Sequence, residues 1–270
     1  MAMTLPTAQE PTMNDVVFPP AAAPLDQPSP ASLSLQCRQR LQSSAPPSTA
    51  RPRQSLSFHL HPCQGPEDLA AACAVRAEAY GRRLPDWRQA LAEADALDLA
   101  PETLVLLCRD KASGRAVGTA RMQFSHQGPL MLEASVELPA HLRQQARAEV
   151  TRLAVMPDAD AQVRLALMKA TWLVAEARGL RWLVIGARRA ALIRIYQRIG
   201  FANVWSDDHW VPLAHAGQLP HRILSLDVAH IRREWAHRDH PLLGFMTGTD
   251  HPDIDLQTPA LPASAWPLAA

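Results

Sequence analysis

Residues 149–201 read EVTRLAVMPDADAQVRLALMKATWLVAEARGLRWLVIGARRAALIRIYQRIGF, and the changes of period inside that stretch decide the fold. Glu149–Val155 is a strand-like run closed by Pro157. Val163, Leu167, Ala170, Val174 and Ala177 then recur at helical spacing, and Gly179 marks a helix end. Leu183–Ile185 is a short buried strand. Ala190–Ile199 returns to the helical period, with Leu192, Ile195, Tyr196 and Ile199 turned inward before Gly200.

Working outward, the upstream segment predicts two further strands, Thr103–Arg109 and Ala116–Phe124, joined by a turn at Ser113-Gly114. Before them, Gly65-Pro66-Glu67-Asp68 is a helix start, with proline at the first position and acids in the first turn. A last strand fits Ile223–Val228. Strands in a row followed by strand–helix–strand–helix–strand give an α/β (α+β) domain, a mixed sheet flanked by helices. Ten of the 24 prolines and seven serines fall within the first 55 residues, so 1–55 is expected to be a disordered leader. The domain should cover 56–235, and 236–270, rich in Pro, His and Asp, should be an irregular tail.

Composition narrows the function classes. Twenty-seven basic and 26 acidic side chains give a net charge of +1, which excludes a uniformly basic nucleic-acid binder. The four cysteines form no CxxC pair and read as free thiols of a reducing compartment, so the expected location is cytoplasmic. No apolar run reaches the ~20 residues of a membrane span. Eleven histidines are scattered without metal-site spacing, and no metal is expected.

The residues with chemical potential begin with an anomaly. Arg76 falls on the helix stripe formed by Leu69, Cys73 and Tyr80. A guanidinium facing a core needs a carboxylate, and Asp95, Asp98 and Glu149 are the candidates; the bland alternative is an arginine that snorkels to water. Glu149 and Arg152 bound E-V-T-R on an otherwise apolar strand. A carboxylate there either pairs with an arginine or is a base with raised proton affinity. Arg121, on the polar face of the preceding strand, could supply that pairing or grip a substrate carboxylate.

In order, Arg76-x3-Tyr80, Trp87, Asp95-x2-Asp98, Gly118-x2-Arg121 and Glu149-x2-Arg152 resemble the signature of acyl-homoserine-lactone synthases and of the related long-chain N-acyl amino acid synthases. Tyr196-x3-Gly200-Phe201 is similar to a helix end common in GNAT acyltransferases. The resemblance spans roughly 58–228 and implies a GNAT-like acyltransferase fold, a twisted sheet splayed between Glu149–Val155 and Leu183–Ile185. It implies an enzyme that transfers a fatty acyl group to the amine of an amino-acid-like acceptor. The strand at His221–Leu224 and the long leader look more like the N-acyl amino acid branch than the lactone branch. An acetyl-coenzyme A acetyltransferase and a non-catalytic acyl-binding sensor remain the alternatives.

One motif is missing. Acetyltransferases of this fold hold the coenzyme A pyrophosphate on a glycine-rich turn after the central strand. Here that stretch is Met156–Arg164, with no glycine and with Asp158 and Asp160. The expected donor is therefore the acyl-phosphopantetheine thioester of an acyl carrier protein, with acyl-coenzyme A less suited. Residues 161–200 hold eight basic side chains against one acid, and Arg164, Lys169, Arg188, Arg189 and Arg194 are the expected patch for an acidic carrier protein. No nucleic acid is expected, and at most a weak membrane association.

The expected mechanism has Glu149 as base, assisted by Arg121 and Asp95. Leu153 and Val155 lie in the strand segment whose backbone would meet the oxyanion. Arg76, Tyr80, Asp98 and Arg152 would line the acceptor side, and Trp87 would close over it.

Overall fold

A computed structural model describes residues 51–206 and 209–257 of the 270. Eight strands form one sheet: β1 Phe58–Pro62, β2 Thr103–Asp110, β3 Ala116–Phe124, β4 Arg147–Val155, β5 Trp182–Ala187, β6 Ala202–Asn203, β7 Val211–Leu213 and β8 Leu219–Asp227. Their order is β1-β2-β3-β4-β5-β8-β6, with β7 also on β8. Every neighbouring pair is antiparallel except β4 and β5, which run parallel around helix α2, Gln162–Ala177. The other helices are α1 Pro66–Gly81, α3 Ala190–Ile199 and α4 Val228–His237. Short helical turns occupy Pro85–Leu91, Met131–Ala134 and Ala140–Arg143.

The main core lies between the sheet and α2, α3 and α4. Phe58, Leu60, Leu106, Met122, Phe124, Val150, Leu167 and Trp172 are buried in it. Gly118 on β3 is what lets α2 come this close. A Cβ there would sit 2.5 Å from Val163 Cγ1, so a side chain at 118 would push the helix off the sheet. Trp172 of α2 and Trp235 of α4 pack edge to face at 5.5 Å, and the Trp235 indole N–H donates to the Ile199 carbonyl that ends α3. A second apolar cluster fills the opposite face, where Leu130, Leu132, Leu138 and Leu142 cover Val184, Leu213 and Ile223. No helix among the described residues is long and apolar enough to cross a membrane.

The central elements lie where the periodicity puts them, and the edges differ. Strands β1, β6 and β7 and helix α4 carry too few residues or too mixed a pattern to stand out in the sequence. The domain is also wider than 56–235. Gln54 N–H donates to the Asp250 carbonyl and Asp250 N–H to Pro52, so residues 52–54 pair with the later chain. Leu60 N–H donates to Asp253, and Asp255 N–H donates back to Leu60. The physical reason is the free edge of β1, whose backbone groups need partners; residues 250–255 supply them. The segment 236–257 is thus part of the domain and not a tail. The remainder of the expected leader, 1–50, and of the tail, 258–270, lies outside the described residues.

Candidate active site

The sheet opens at the middle of β4. Its pairing with β5 runs only from Arg147–Trp182 to Val150–Ile185, so Thr151–Val155 part from β5. At the same point the register against β3 slips between Thr119 and Arg121, and Arg152 takes φ +53°. One extra residue in β4 at a left-handed, non-glycine position is a bulge, which bends the strand and disrupts the ladder. The splay expected between these two strands is present, and the bulge sets its apex.

A network of arginines and aspartates fastens the β3 side of the bulge. Arg76, 1% exposed, donates from Nη1 to Asp98 Oδ2 at 2.8 Å; it does not reach water. Arg121, 0% exposed, donates to Asp95 Oδ1 at 2.7 Å, to Asp98 Oδ1 at 3.2 Å and from Nε to Thr151 Oγ1 at 3.1 Å. Arg152 Nη2 reaches Asp95 Oδ2 at 3.3 Å. The Tyr80 hydroxyl donates to the Leu153 carbonyl at 3.0 Å. Burial works to raise the Asp95 carboxyl, but the hydrogen bond and charge of Arg121, the Asp98 N–H and Arg152 together hold it at about 2. Arg121, expected among the catalytic groups, is enclosed; its guanidinium anchors Asp95, Asp98 and Thr151 and offers no face to solvent. Arg152, 20% exposed at its side chain, is the cation of this network that keeps an open side.

Glu149 lies on the β5 side, 1% exposed. Its Oε2 accepts from the Leu132 N–H at 2.9 Å, while Oε1 is buried with no hydrogen-bond partner. Burial pushes the carboxyl up to about 7, against the Leu132 N–H and the charge of Arg121, which pull it down. The nearest charged or titratable side-chain partner of Oε1 is His215 Nε2, 3.7 Å away. Sequence reasoning passed over His215, which sits between two alanines without a motif. Trp87 belongs to the same corner: its ring packs on Gly217, at φ +63°, where a Cβ would meet Trp87 Cζ2 at 2.7 Å.

At the other end of β4 the chain makes the turn Met156–Ala161 into α2. One helix amide there is already taken by a side chain: Asp160 Oδ1 accepts from Gln162 N–H at 2.8 Å, while Asp160 Oδ2 accepts from Ser57 and Asp158 pairs with Arg115. The expected basic patch is thinner than its eight residues. Lys169, 5% exposed, is a correction: Nζ donates to the Phe245 and Thr249 carbonyls at 2.8 Å and meets His251 Nδ1 at 2.7 Å. Its long stem lies on α2 against the core, so the ammonium ties down residues 245–251. Arg178 lies over the Phe124 ring, and Arg181 pairs with Asp227. Arg188, Arg189 and Arg194 are exposed and Arg164 is half-buried.

The solved structure of FeeM, an N-acyl amino acid synthase from uncultured soil microbes, superposes with a TM-score of 0.51 at 16% identity, over 70% of this chain and 97% of that one. A coenzyme A-dependent acyl-homoserine lactone synthase, BjaI, gives 0.49 at 19% identity over 77% of this chain and 97% of its own. At 16% identity the likeness to FeeM concerns the fold alone, a mixed sheet flanked by helices. No curated protein sequence matches. The family model of the N-acyl amino acid synthase FeeM matches residues 71–217, a stretch that runs from α1 through the Arg–Asp network and Glu149 to Gly217. The chain therefore belongs to the FeeM family of N-acyl amino acid synthases, acyltransferases that act on an amine.

Proposed function

We propose that the protein transfers a long-chain fatty acyl group from the phosphopantetheine thioester of an acyl carrier protein to the amine of an amino acid, with Glu149 as general base. The observation that carries this reading is the Glu149 carboxyl: enclosed at the apex of the splay, one oxygen held and one free, with a proton affinity at about 7. A base is most effective when its pKa lies near the working pH. The acceptor arrives as an ammonium, and one proton passes to Glu149, directly or through a water. The neutral amine attacks the thioester carbonyl, forming the C–N bond. As the tetrahedral adduct collapses the C–S bond breaks, the second nitrogen proton goes to the thiolate, and the proton on Glu149 returns to solvent.

The Arg76, Asp98, Arg121 and Asp95 side chains keep the bulged strand rigid behind this chemistry. Arg152, Tyr80 and Trp87 border the acceptor, with Arg152 the partner for its carboxylate. Backbone N–H groups of the bulged Leu153–Val155 segment receive the developing oxyanion.

Two features support a carrier-protein donor. Asp160 occupies the Gln162 amide at the start of α2, and a diphosphate placed there would face two aspartates. The exposed Arg188, Arg189 and Arg194 suit an acidic partner. The donor and the three buried, unpaired thiols Cys63, Cys73 and Cys108 fit a cytoplasmic enzyme.

Mass spectrometry of lipids from a bacterial host expressing the full chain tests the product. A new long-chain acyl amino acid is expected; an acyl lactone, or no new lipid, would overturn the reading. In purified form Glu149→Gln should lose roughly 10²–10⁴ in turnover, less at high pH where more acceptor is already neutral. Full activity of a folded Glu149→Gln at neutral pH would remove Glu149 as base.

A further inference from the structure

We propose that His215 is a positioning residue for Glu149: its Nε2–H faces the free carboxylate oxygen and sets the pH above which Glu149 can take the acceptor's proton. The inference rests on the reading of Glu149 as base and deepens it.

Of the two Glu149 oxygens, Oε2 is held by the Leu132 N–H at 2.9 Å, and Oε1 faces His215 Nε2 at 3.7 Å. At 3.7 Å the pair is in charge–dipole contact, short of a hydrogen bond, and the coupling requires the two groups to draw together as Glu149 ionises. The position of His215 is held by its own segment. Ala214 N–H donates to Ser135 Oγ at 2.8 Å, Gly217 N–H returns to the Ala214 carbonyl at 3.2 Å, and the Trp87 ring covers Gly217. Leu213, just before, is buried under the second apolar cluster. A histidine so fixed beside an unpartnered carboxylate oxygen costs more than it returns unless the two interact.

The state of the ring follows from its surroundings. Arg121 on β3, Arg152 on β4 and His221 on β8 face it, together with Glu149 itself; Glu133 on the adjoining turn is engaged by Arg147 at 2.7 Å. Burial first, and then the charges of Arg152, His221 and Arg121, bring His215 down to about 4, against the Met131 backbone, whose hydrogen bonding works to raise it. At neutral pH the ring is uncharged and carries one N–H. With that proton on Nδ1, the Nε2 lone pair would oppose the carboxylate. With it on Nε2, the ring has an N–H to offer Glu149 Oε1, and Nδ1 remains the buried atom without a partner.

A donor to the ionised carboxylate favours ionisation. Removing it should raise the Glu149 titration and shift the acid limb of the rate profile to higher pH, by about one pH unit for the loss of one hydrogen bond to a charged group. A side chain that only filled space would lower activity equally at all pH values.

The test reads Glu149 directly. Full-length protein carrying ¹³C-labelled glutamate is titrated by NMR, with the Glu149 carboxyl assigned by its absence in Glu149→Gln. In His215→Phe the midpoint should rise by about one unit; in His215→Gln, which keeps an N–H near the Nε2 position, it should stay within a few tenths of the wild type. Should His215→Phe not fold, His215→Ala is read in its place with the same expected rise. An unchanged midpoint in the folded Phe or Ala variant overturns the proposal. The titration needs no turnover. A shifted midpoint in a chain that transfers no acyl group would defeat the proposed function alone and leave the Glu149–His215 coupling standing.

Discussion

Arg76 Nη1 and Asp98 Oδ2 meet at 2.8 Å with side chains 2% and 1% exposed, and the second Asp98 oxygen lies 3.2 Å from Arg121 Nη1. Asp98 therefore bridges two buried guanidinium groups, and it shares Arg121 with Asp95, which lies nearer at 2.7 Å.

Asymmetric costs follow from that geometry. Asp98→Ala strands Arg76 outright, leaves Arg121 with Asp95 as its one carboxylate, and should lose about 3–5 kcal/mol of stability. Arg76→Met removes one cation but leaves Asp98 paired with Arg121, and its loss should be clearly smaller. Urea unfolding of both variants checks the order, read from midpoints at unchanged slope. Equal losses would show that Asp98 is not the shared hub.

The proton affinity of Glu149 should appear in stability as well as in rate. Its folded value, about 7, lies above the ordinary 4.5. Between those two values the folded state binds the extra proton, so this group's contribution falls as pH rises from 4.5 to 7. Above pH 7 the buried charge costs about 3 kcal/mol relative to an exposed carboxylate. Glu149→Gln removes the cost, and the variant should gain on the wild type as pH climbs through that window. His215, lowered to about 4, works in the opposite direction over nearly the same range, which is why the difference between the two proteins is the quantity to measure. A pH-independent difference would contradict the buried, protonatable carboxyl.

Charge reversal at Arg188 and Arg189 together addresses the donor. Both side chains are exposed just past β5. The carrier-protein KM should rise about tenfold with kcat nearly unchanged, and the wild type's sensitivity to salt should weaken in the variant. Steady-state kinetics at two ionic strengths decide it. Equal efficiency with coenzyme A thioesters, insensitive to salt, would remove the carrier protein from the scheme.

Lys169 gives the contrasting case. Lys169→Met leaves two carbonyls and the His251 ring without their donor, at a cost of about 1–3 kcal/mol. Hydrogen exchange should quicken at residues 245–255 while the carrier-protein KM holds. A raised KM with unchanged stability would return Lys169 to the surface patch.

Short-range periodicity made the central elements legible. Ala116–Phe124 and Ala190–Ile199 have the bounds the sequence predicts, because their apolar spacing is uninterrupted. Arg76 announced itself as a charge on an apolar stripe, and the missing glycine after β4 was visible as composition. Neither says which carboxylate answers the arginine. Asp98 does so because the loop after α1 folds back beneath β3, a path that no local pattern encodes.

Local spacing carries the order of the central strands and helices, the buried arginine and the ordered set of residues shared with a synthase family. Those depend on spacing along one element, where 3.6-residue and two-residue periods dictate which side chains share a face. Chain closure, in contrast, makes Lys169 a buried tether, brings residues 250–255 to the edge of β1 and sets His215 beside Glu149. Each of these joins elements far apart in the chain, and such contacts are selected by packing and by the need to partner buried polar groups. A lone histidine between two alanines carries no trace of that selection until the chain has closed around it.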